Sequence, residues 1–207
     1  MKSDCKVRLV ALDDAPELLK LYTPFVISED SNISDVSFEY VAPTLEEFSG
    51  RIREISAGYP YLVCERAGEI LGYVYAHPYI KRAAYQWGAE VTVYLAPAGQ
   101  GIGLGRVLYT ALEDILRLQG IVTLYACITA SNDHSVGMHA SLGYKTVGSF
   151  NKTGFKHGHW LDMVWMEKKI AEHPEKPEPI RTIGQVAGSA VAEILERASA
   201  QAGLLLK

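Results

Sequence analysis

Four glycines, Gly99, Gly101, Gly103 and Gly105, fall at alternate positions within EVTVYLAPAGQGIGLGRVLY, residues 90–109. Glycines ahead of a helix leave backbone N–H groups unobstructed and aimed at one spot. The helix macrodipole makes that spot attractive to an anion. The chemistry offered is phosphate binding. A Walker-type loop would end in Gly-Lys-Ser/Thr, whereas Gly105 is followed by Arg106 and Val107, so both the lysine and the metal-binding hydroxyl are missing. A dinucleotide fingerprint would open the first βαβ unit with G-x-G-x-x-G. Here the last interval is wrong, and two helices and two hairpin strands precede it. The glycines alone also allow a flexible turn with no ligand. Glu90 stands at the head of the same stretch between apolar Ala89 and Val91. A carboxylate there is partly desolvated, which raises its basicity.

The elements that must position these groups can be read in order. Val91, Val93 and Leu95 alternate with Thr92 and Tyr94 as a strand, Pro97 ends it, and Leu104, Val107, Leu108, Ala111, Leu112 and Ile115 continue at helical spacing to about Gly120. Upstream, Val7 to Ala11 reads as a strand. A helix follows, capped by Asp13 or Asp14 with Pro16 in its first turn and an apolar face of Leu18, Leu19, Tyr22, Phe25 and Val26. Residues 28–40 read as a loop. Thr44 with Glu47 is a capping box for a helix to about Ala57, with Leu45, Phe48, Ile52 and Ile55 inward. Tyr61–Arg66 and Ile70–Ala76, joined by Ala67-Gly68-Glu69, read as a hairpin, and His77–Tyr85 as a loop. Val122–Ile128 has the near-continuous apolar character of a strand covered on both faces. Ser131 or Asn132 can cap a short helix to Ser141, and Tyr144–Phe150 and Trp160–Lys168 are the last strands. The order β, α, α, three strands, α, β, α, β, β predicts an α/β (α+β) domain with a mixed sheet.

At 207 residues, 48% of them apolar and 21% charged, the chain is long enough for one well-buried domain with an appendage. Its formal charge of −4 argues against a general nucleic-acid binder. Cys5, Cys64 and Cys127 are scattered and odd in number, so neither a metal spacing nor a disulfide framework is present, and a reducing cytoplasmic setting fits. Neither a signal peptide nor a membrane span is evident. The proline- and charge-rich stretch 170–182 reads as a linker after a domain of residues 1–169. In residues 183–207, Val186, Ala190, Ile194, Leu195 and Ala198 are spaced for an amphipathic helix that docks on the domain or on a second subunit.

Gln100-Gly101-Ile102-Gly103-Leu104-Gly105 fits the pattern Gln/Arg-x-x-Gly-x-Gly/Ala that follows the fourth strand of the GNAT family of N-acetyltransferases, and the element order agrees from Val7 to about Lys169, roughly four-fifths of the chain. The stretches TVYLAP, GLGRVLY, ASNDHSVGMHASLGY and GFKHGHWLDMVW resemble the phosphinothricin and methionine sulfoximine acetyltransferase branch. The resemblance implies the GNAT fold: a mostly antiparallel sheet of about seven strands, flanked by helices and splayed between the fourth and fifth strands. It implies acetyl transfer from acetyl-CoA to the primary amine of a small amino acid or analogue, without a metal. A peptide or protein N-terminal acetyltransferase and a non-catalytic CoA-binding module are the rival readings.

Carried over residue by residue, the resemblance assigns the CoA pyrophosphate to Gly101, Ile102, Gly103, Leu104, Gly105 and Arg106. Arg106 either adds charge there or is a solvated helix-face arginine. The pantetheine arm falls to the strand edge Val93, Tyr94 and Leu95 and to Asn132, which is equally suited to be an N-cap. The general base falls to Glu90. His139 stands where many family members have a tyrosine general acid, and whether it is acid or base stays open. Ile80, Lys81 and Arg82 would hold the acceptor's carboxylate, as a guanidinium can do with two parallel hydrogen bonds, and Glu90, Val91 and Thr92 would line the pocket. Lys81 and Arg82 also read as a solvated basic pair. His134 has no assigned role, and His157 and His159 read as loop structure near the substrate. The branch also implies a homodimer.

Overall fold

The computed structural model describes residues 5–30 and 34–206, so residues 31–33 of the expected 28–40 loop lie outside the described residues. The strands are β1 (Cys5–Leu9), β2 (Tyr61–Arg66), β3 (Glu69–Pro78), β4 (Gly88–Leu95), β5 (Thr123–Thr129), β6 (Lys145–Lys156) and β7 (His159–Lys169). The helices are α1 (Ala15–Tyr22), the one-turn α2 (Pro24–Ile27), α3 (Leu45–Gly58), α4 (Leu104–Gln119), α5 (Asp133–Ser141) and α6 (Gly188–Leu205). One sheet runs in the order β1-β2-β3-β4-β5-β7-β6. Its neighbours are antiparallel except β4 and β5, which are parallel.

Local chemistry explains most boundaries. The Thr44 N–H donates to Glu47 Oε2 at 2.7 Å and the Glu47 N–H to Thr44 Oγ1 at 3.2 Å, the expected capping box of α3. The β2–β3 hairpin turns on Ala67 (φ 50°) and Gly68 (φ 85°), both left-handed as a twist-matched two-residue turn requires. The first strand begins and ends two residues earlier than the periodicity predicts. After Leu9 the carboxylate of Asp14 accepts from the Ala11 N–H at 2.7 Å and from Arg8 at 2.7 and 2.8 Å, which winds Leu12–Asp14 into a 3₁₀ turn. Neither Asp13 nor Asp14 caps α1 through a side-chain bond. Phe25 and Val26 belong to α2, and β3 continues through His77 to Pro78, where a loop was expected. Strand β6 also passes its expected end at Phe150, rejoining β7 after a register shift between Phe150 and Gly154.

Each face of the sheet has its own core. On one face α1, α2 and α3 bury Leu18, Tyr22, Val26, Phe48 and Ile52 against Tyr61, Val63 and Tyr73. On the other, α4 buries Leu104, Leu108, Leu112, Ile115 and Leu116. Those five side chains contribute on the order of 10 kcal/mol before chain entropy is subtracted. Helix α6 joins this second core through Val191, Ile194, Ala198 and Ala202. It also reaches the sheet edge: the Val7 N–H donates to Ser199 Oγ at 2.8 Å, and that hydroxyl donates to Leu195 O at 2.7 Å. The stretch between β7 and α6 lies against the sheet end, with Ile170 N–H on Val122 O at 2.8 Å and Arg181 N–H on Gln119 O at 2.8 Å. The extension therefore docks on its own domain.

Candidate active site

Strands β4 and β5 pair at only three positions, Gly88 with Thr123, Ala89 with Leu124 and Glu90 with Tyr125. Beyond Glu90 they part, and the backbone from Val91 to Leu95 keeps its bonds to β3 alone. That opening is the expected splay, and the Val93–Leu95 edge borders it. Strand alternation sends Glu90, Thr92 and Tyr94 to the α1–α3 face and Ala89 and Val91 to the α4 face. Val91 is buried in the α4 core. Only its backbone borders the opening, so its side chain does not line a pocket with Glu90.

The glycine turn closes the end of β4. The Ala96 N–H donates to Leu71 O at 2.9 Å, Gly99 N–H to Ala96 O at 2.8 Å, and Gln100 Nε2 to Leu95 O at 2.9 Å. A methyl at Gly99 would stand 2.6 Å from Leu71 O, so only glycine fits that approach. Gly103 is the N-cap of α4 at φ 91° and provides no side-chain cap. The first-turn N–H groups of α4 therefore face outward, aligned with the positive end of a sixteen-residue helix. A Cβ at Gly101 would meet nothing within 4 Å. The turn is an open cradle of donors, which suits a pyrophosphate.

Glu90 sits where the strands part, opposite His77 of β3. Burial pushes its carboxyl above the usual range, and His77 only partly offsets this. A half-buried carboxylate of raised pKa is suited to take a proton near neutrality. Burial pushes the ionisation of Tyr75, Tyr109 and Cys127 up, and the negative charge of Glu90 adds to each.

His139 lies in the core, 3% exposed. Its Nδ1–H donates to Ser135 O at 2.7 Å, which leaves Nε2 to accept from the Tyr109 hydroxyl at 2.9 Å. Burial lowers its pKa, so the ring is neutral at pH 7. Asn132 is the N-cap of α5, its Oδ1 accepting from Ser135 N–H at 3.1 Å. It also lines a cavity of about 360 Å³ together with Asp35, Ser131, His159, Trp160 and Asp162. Arg106 turns away from the glycine turn and donates to Ser141 Oγ at 2.8 Å. Lys81 is on the surface, paired with Glu54 at 2.8 Å. Arg82 is exposed beside it and Ile80 is half-buried. His157 and His159 both lean on Asp35, with Nε2 to carboxylate distances of 3.7 and 3.0 Å.

Several residues on the Glu90 face were not singled out by the sequence. Tyr75 bonds Thr92 and lies within electrostatic reach of Glu90, Arg51 and Glu39. Glu39 accepts from Arg51 at 2.5 Å and from the Tyr22 hydroxyl at 2.8 Å. Tyr22, Tyr61, Tyr73, Tyr75 and Tyr94 line a narrow cleft with Arg51 at its rim. The signal available was the alternation Tyr73, Tyr75, His77 along β3, which matches Tyr94, Thr92, Glu90 across the strand pair.

Residues 7–165 match the family model described as an acetyltransferase (GNAT) domain. The chain is 35% identical over 161 residues to a phosphinothricin N-acetyltransferase of Streptomyces viridochromogenes, covering 78% of this chain and 87% of that one. It is 31% identical over 165 residues to an L-methionine sulfoximine/L-methionine sulfone acetyltransferase of Pseudomonas paraeruginosa, covering 79% and 94%. A phosphinothricin acetyltransferase of Sinorhizobium meliloti, solved in complex with acetyl-CoA, superposes with a TM-score of 0.77 at 29% identity, covering 84% of this chain and 94% of that one. With the family match spanning most of the chain, and with the splayed sheet and the glycine cradle both in place, the chain belongs to the GNAT acetyltransferase family.

Proposed function

We propose that this protein transfers the acetyl group of acetyl-CoA to the primary amine of a small amino acid or amino-acid analogue of the phosphinothricin or methionine sulfoximine type. The observation that carries this reading is Glu90: a carboxyl of raised pKa at the point where β4 and β5 part, one strand length from an open anion cradle.

The residues fit acetyl-CoA. The outward N–H groups from Gly101 to Arg106 would hold its pyrophosphate, and the backbone edge of Val93, Tyr94 and Leu95 would take the pantetheine amides as an added strand. Asn132 has its Oδ1 occupied as a cap and would offer its amide nitrogen to the same arm. When bound, acetyl-CoA supplies a thioester open to attack by a neutral amine. The chain's task is to make the acceptor neutral and hold it in line. Glu90 takes a proton from the acceptor's ammonium, directly or through one water. Thr92 and Tyr75 fix the wall beside it. We assign His139 the holding of the Tyr109 hydroxyl in the field of Glu90, since both its ring nitrogens are occupied away from the opening. Arg82 and Lys81, with Ile80 beside them, would receive the acceptor's carboxylate. The Lys81–Glu54 pair is solvent-exposed on both sides and is held only weakly.

The same reading places residues 1–169 as the catalytic domain, 170–182 as a connector and 183–207 as a bracing segment. A homodimer is supported by an apolar row on the last hairpin, Val147, Phe150, Phe155 and Trp160, all exposed in the single chain. A cytoplasmic setting is proposed on the odd number of cysteines in the chain. Among the described residues no helix is long and apolar enough to cross a membrane.

The test is thiol release from acetyl-CoA against free amino acids, phosphinothricin, methionine sulfoximine and short peptides. Turnover with the amino-acid acceptors is expected. A peptide N-terminus outperforming all of them, or acetyl-CoA binding without turnover of any amine, would overturn the reading. Light scattering should give twice the chain mass, and a monomer at micromolar concentration would remove the dimer.

A further inference from the structure

The opening between β4 and β5 has a strap across its wide end. Leu124, Ala126 and Ile128 of β5 lie in the α4 core, so strand alternation turns Tyr125, Cys127 and Thr129 to the face that carries Glu90. Glu90 is level with Tyr125. Four residues further along these parallel strands, Tyr94 stands on one side of the opening and Thr129 on the other, about 13 Å beyond Glu90. Residues 34–40, which precede α3, join the two sides. Thr129 Oγ1 donates to Asp35 O at 2.8 Å. Two residues later, Ser37 Oγ stands 2.9 Å from the Tyr22 hydroxyl, and the Tyr22 ring packs edge-on against Tyr94 with centroids 5.0 Å apart.

One buried charge holds this strap. Lys156, the last residue of β6, is 2% exposed. Its Nζ donates to Ser34 O at 2.5 Å and to Ser37 O at 2.6 Å, so the ammonium fixes the backbone on both sides of Asp35. Burial disfavours the charge, and Asp35 and Glu39 partly offset that. A buried ammonium is a costly way to fill space. What it adds is direction: two short bonds that set the path of the backbone. Two residues past Ser37, Glu39 takes Arg51 and the Tyr22 hydroxyl, and Arg51 and Glu39 lie within electrostatic reach of Tyr75, as Glu90 does.

We infer that Lys156 is a positioning residue for the acceptor: by clasping Ser34 and Ser37 it holds the strap across the Glu90 face of the opening and bounds the space in which the acceptor sits. An acceptor that gives its proton to Glu90 lies between Glu90 and the strap, beside Thr92, Tyr75 and Cys127. A strap already in place loses less conformational freedom when the acceptor arrives, so the gain appears in acceptor binding. Among the described residues no hydrogen bond joins residues 34–40 to the glycine turn, so acetyl-CoA binding is left out of the effect. The inference rests on Glu90 being the base that the acceptor faces.

The experiment uses the full chain with Lys156→Met, Lys156→Arg, Thr129→Val and, as control, Lys145→Met, which changes an exposed lysine of the same strand. Binding of methionine sulfoximine is measured by calorimetry with CoA present, which needs no turnover. The KM values for acceptor and acetyl-CoA come from thiol release. Lys156→Met is expected to weaken acceptor binding and raise the acceptor KM about 10-fold, the scale of one hydrogen bond to a charged group. Its acetyl-CoA affinity and KM should stay at the wild-type value. Thr129→Val removes the strap's bond to β5 and should raise the acceptor KM about threefold. Lys156→Arg keeps donors for both carbonyls and should lose less than Lys156→Met, and Lys145→Met should behave as wild type. Hydrogen exchange at residues 35–40 should quicken in Lys156→Met while exchange within α4 does not, which separates a released strap from a loosened fold. The inference is overturned if the melt falls while acceptor affinity stays within twofold of wild type, or if acetyl-CoA affinity falls as far as the acceptor's. Should Lys156→Met not fold, Thr129→Val decides alone, and an unchanged acceptor affinity there overturns the inference. If the wild type binds methionine sulfoximine but acetylates no amine, the catalytic reading falls while the calorimetric comparison still decides the role of Lys156.

Discussion

Replacing Glu90 by glutamine tests the proposed chemistry most directly. The side chain keeps its shape but can no longer accept a proton at neutral pH. The fold should tolerate the change, because burial already disfavours the charge at this position. A positioned general base contributes about 10²- to 10⁴-fold, equivalent to about 2.7–5.5 kcal/mol of barrier. The pH dependence carries more information than the size. In the wild type, kcat/KM should rise with pH along an acidic limb centred above the ordinary carboxylate range, since desolvation raises Glu90 and the base must be ionised to work. In Glu90→Gln that limb should vanish and the rate should follow the acceptor amine's own deprotonation, gaining about tenfold per pH unit. The defect is therefore widest at low pH and closes towards the amine's pKa. The assay is thiol release from acetyl-CoA at saturating donor, with thermal melts showing that the variant is folded. A loss under about threefold, or one of equal size at every pH, would refute the assignment of Glu90 as base.

Three other outcomes follow from packing and burial. Lys168 Nζ lies 2.6 and 2.8 Å from the carboxylate of Glu113, which is 4% exposed. Lys168→Met leaves Glu113 with Arg117 alone at 3.5 Å and should cost about 1–3 kcal/mol in urea melts, and adding Glu113→Leu should recover most of it; a neutral single variant would contradict this. His139 is neutral in the fold with a lowered pKa, so its contribution is fully present above its unfolded value of about 6.5 and is lost as pH falls below it. His139→Gln should flatten the stability–pH curve in that window, and an unchanged slope would show that another group governs it. A methyl at Gly99 would press on Leu71 O at 2.6 Å and Leu104 Cδ2 at 3.0 Å. Gly99→Ala should cost about 1–3 kcal/mol and raise the KM for acetyl-CoA, and a wild-type melt would contradict the close approach.

Periodicity in the sequence located β4, the glycine turn and α4 because three independent local signals agree there: strict alternation, glycine spacing and a long apolar stripe. The capping box at Thr44 and Glu47 was legible for the same reason, being complete within four residues. What was not legible depended on distant partners. Strand β3 passes through His77 because β4 offers a register partner there, Glu90, and no window around His77 contains that information. Arg51 and Glu39 are ordinary helix and loop charges until α3 and the loop before it fold over Tyr75. Asp14 looked like a helix cap but is engaged by Arg8 from β1. His139 fits a catalytic pattern by position, yet the fold fills both its nitrogens from Ser135 and Tyr109. Val91 was placed in the pocket by carry-over, whereas the two-residue period of its strand sends its side chain into the α4 core.

The bond between Val7 and Ser199 also bears on how copies of this chain can associate. A sheet ends in two rows of backbone groups, and each unprotected row is a template for another strand. Here α6 lies over the β1 border and satisfies the Val7 N–H with a side chain, while β6 forms the opposite border. With one border sealed, strand addition can proceed from one side only. Growth by that route stops after a single self-complementary union, because a ribbon needs two open borders per molecule. The added helix thus caps the sheet as a terminal repeat caps a solenoid, turning a surface that could propagate into one that can only close.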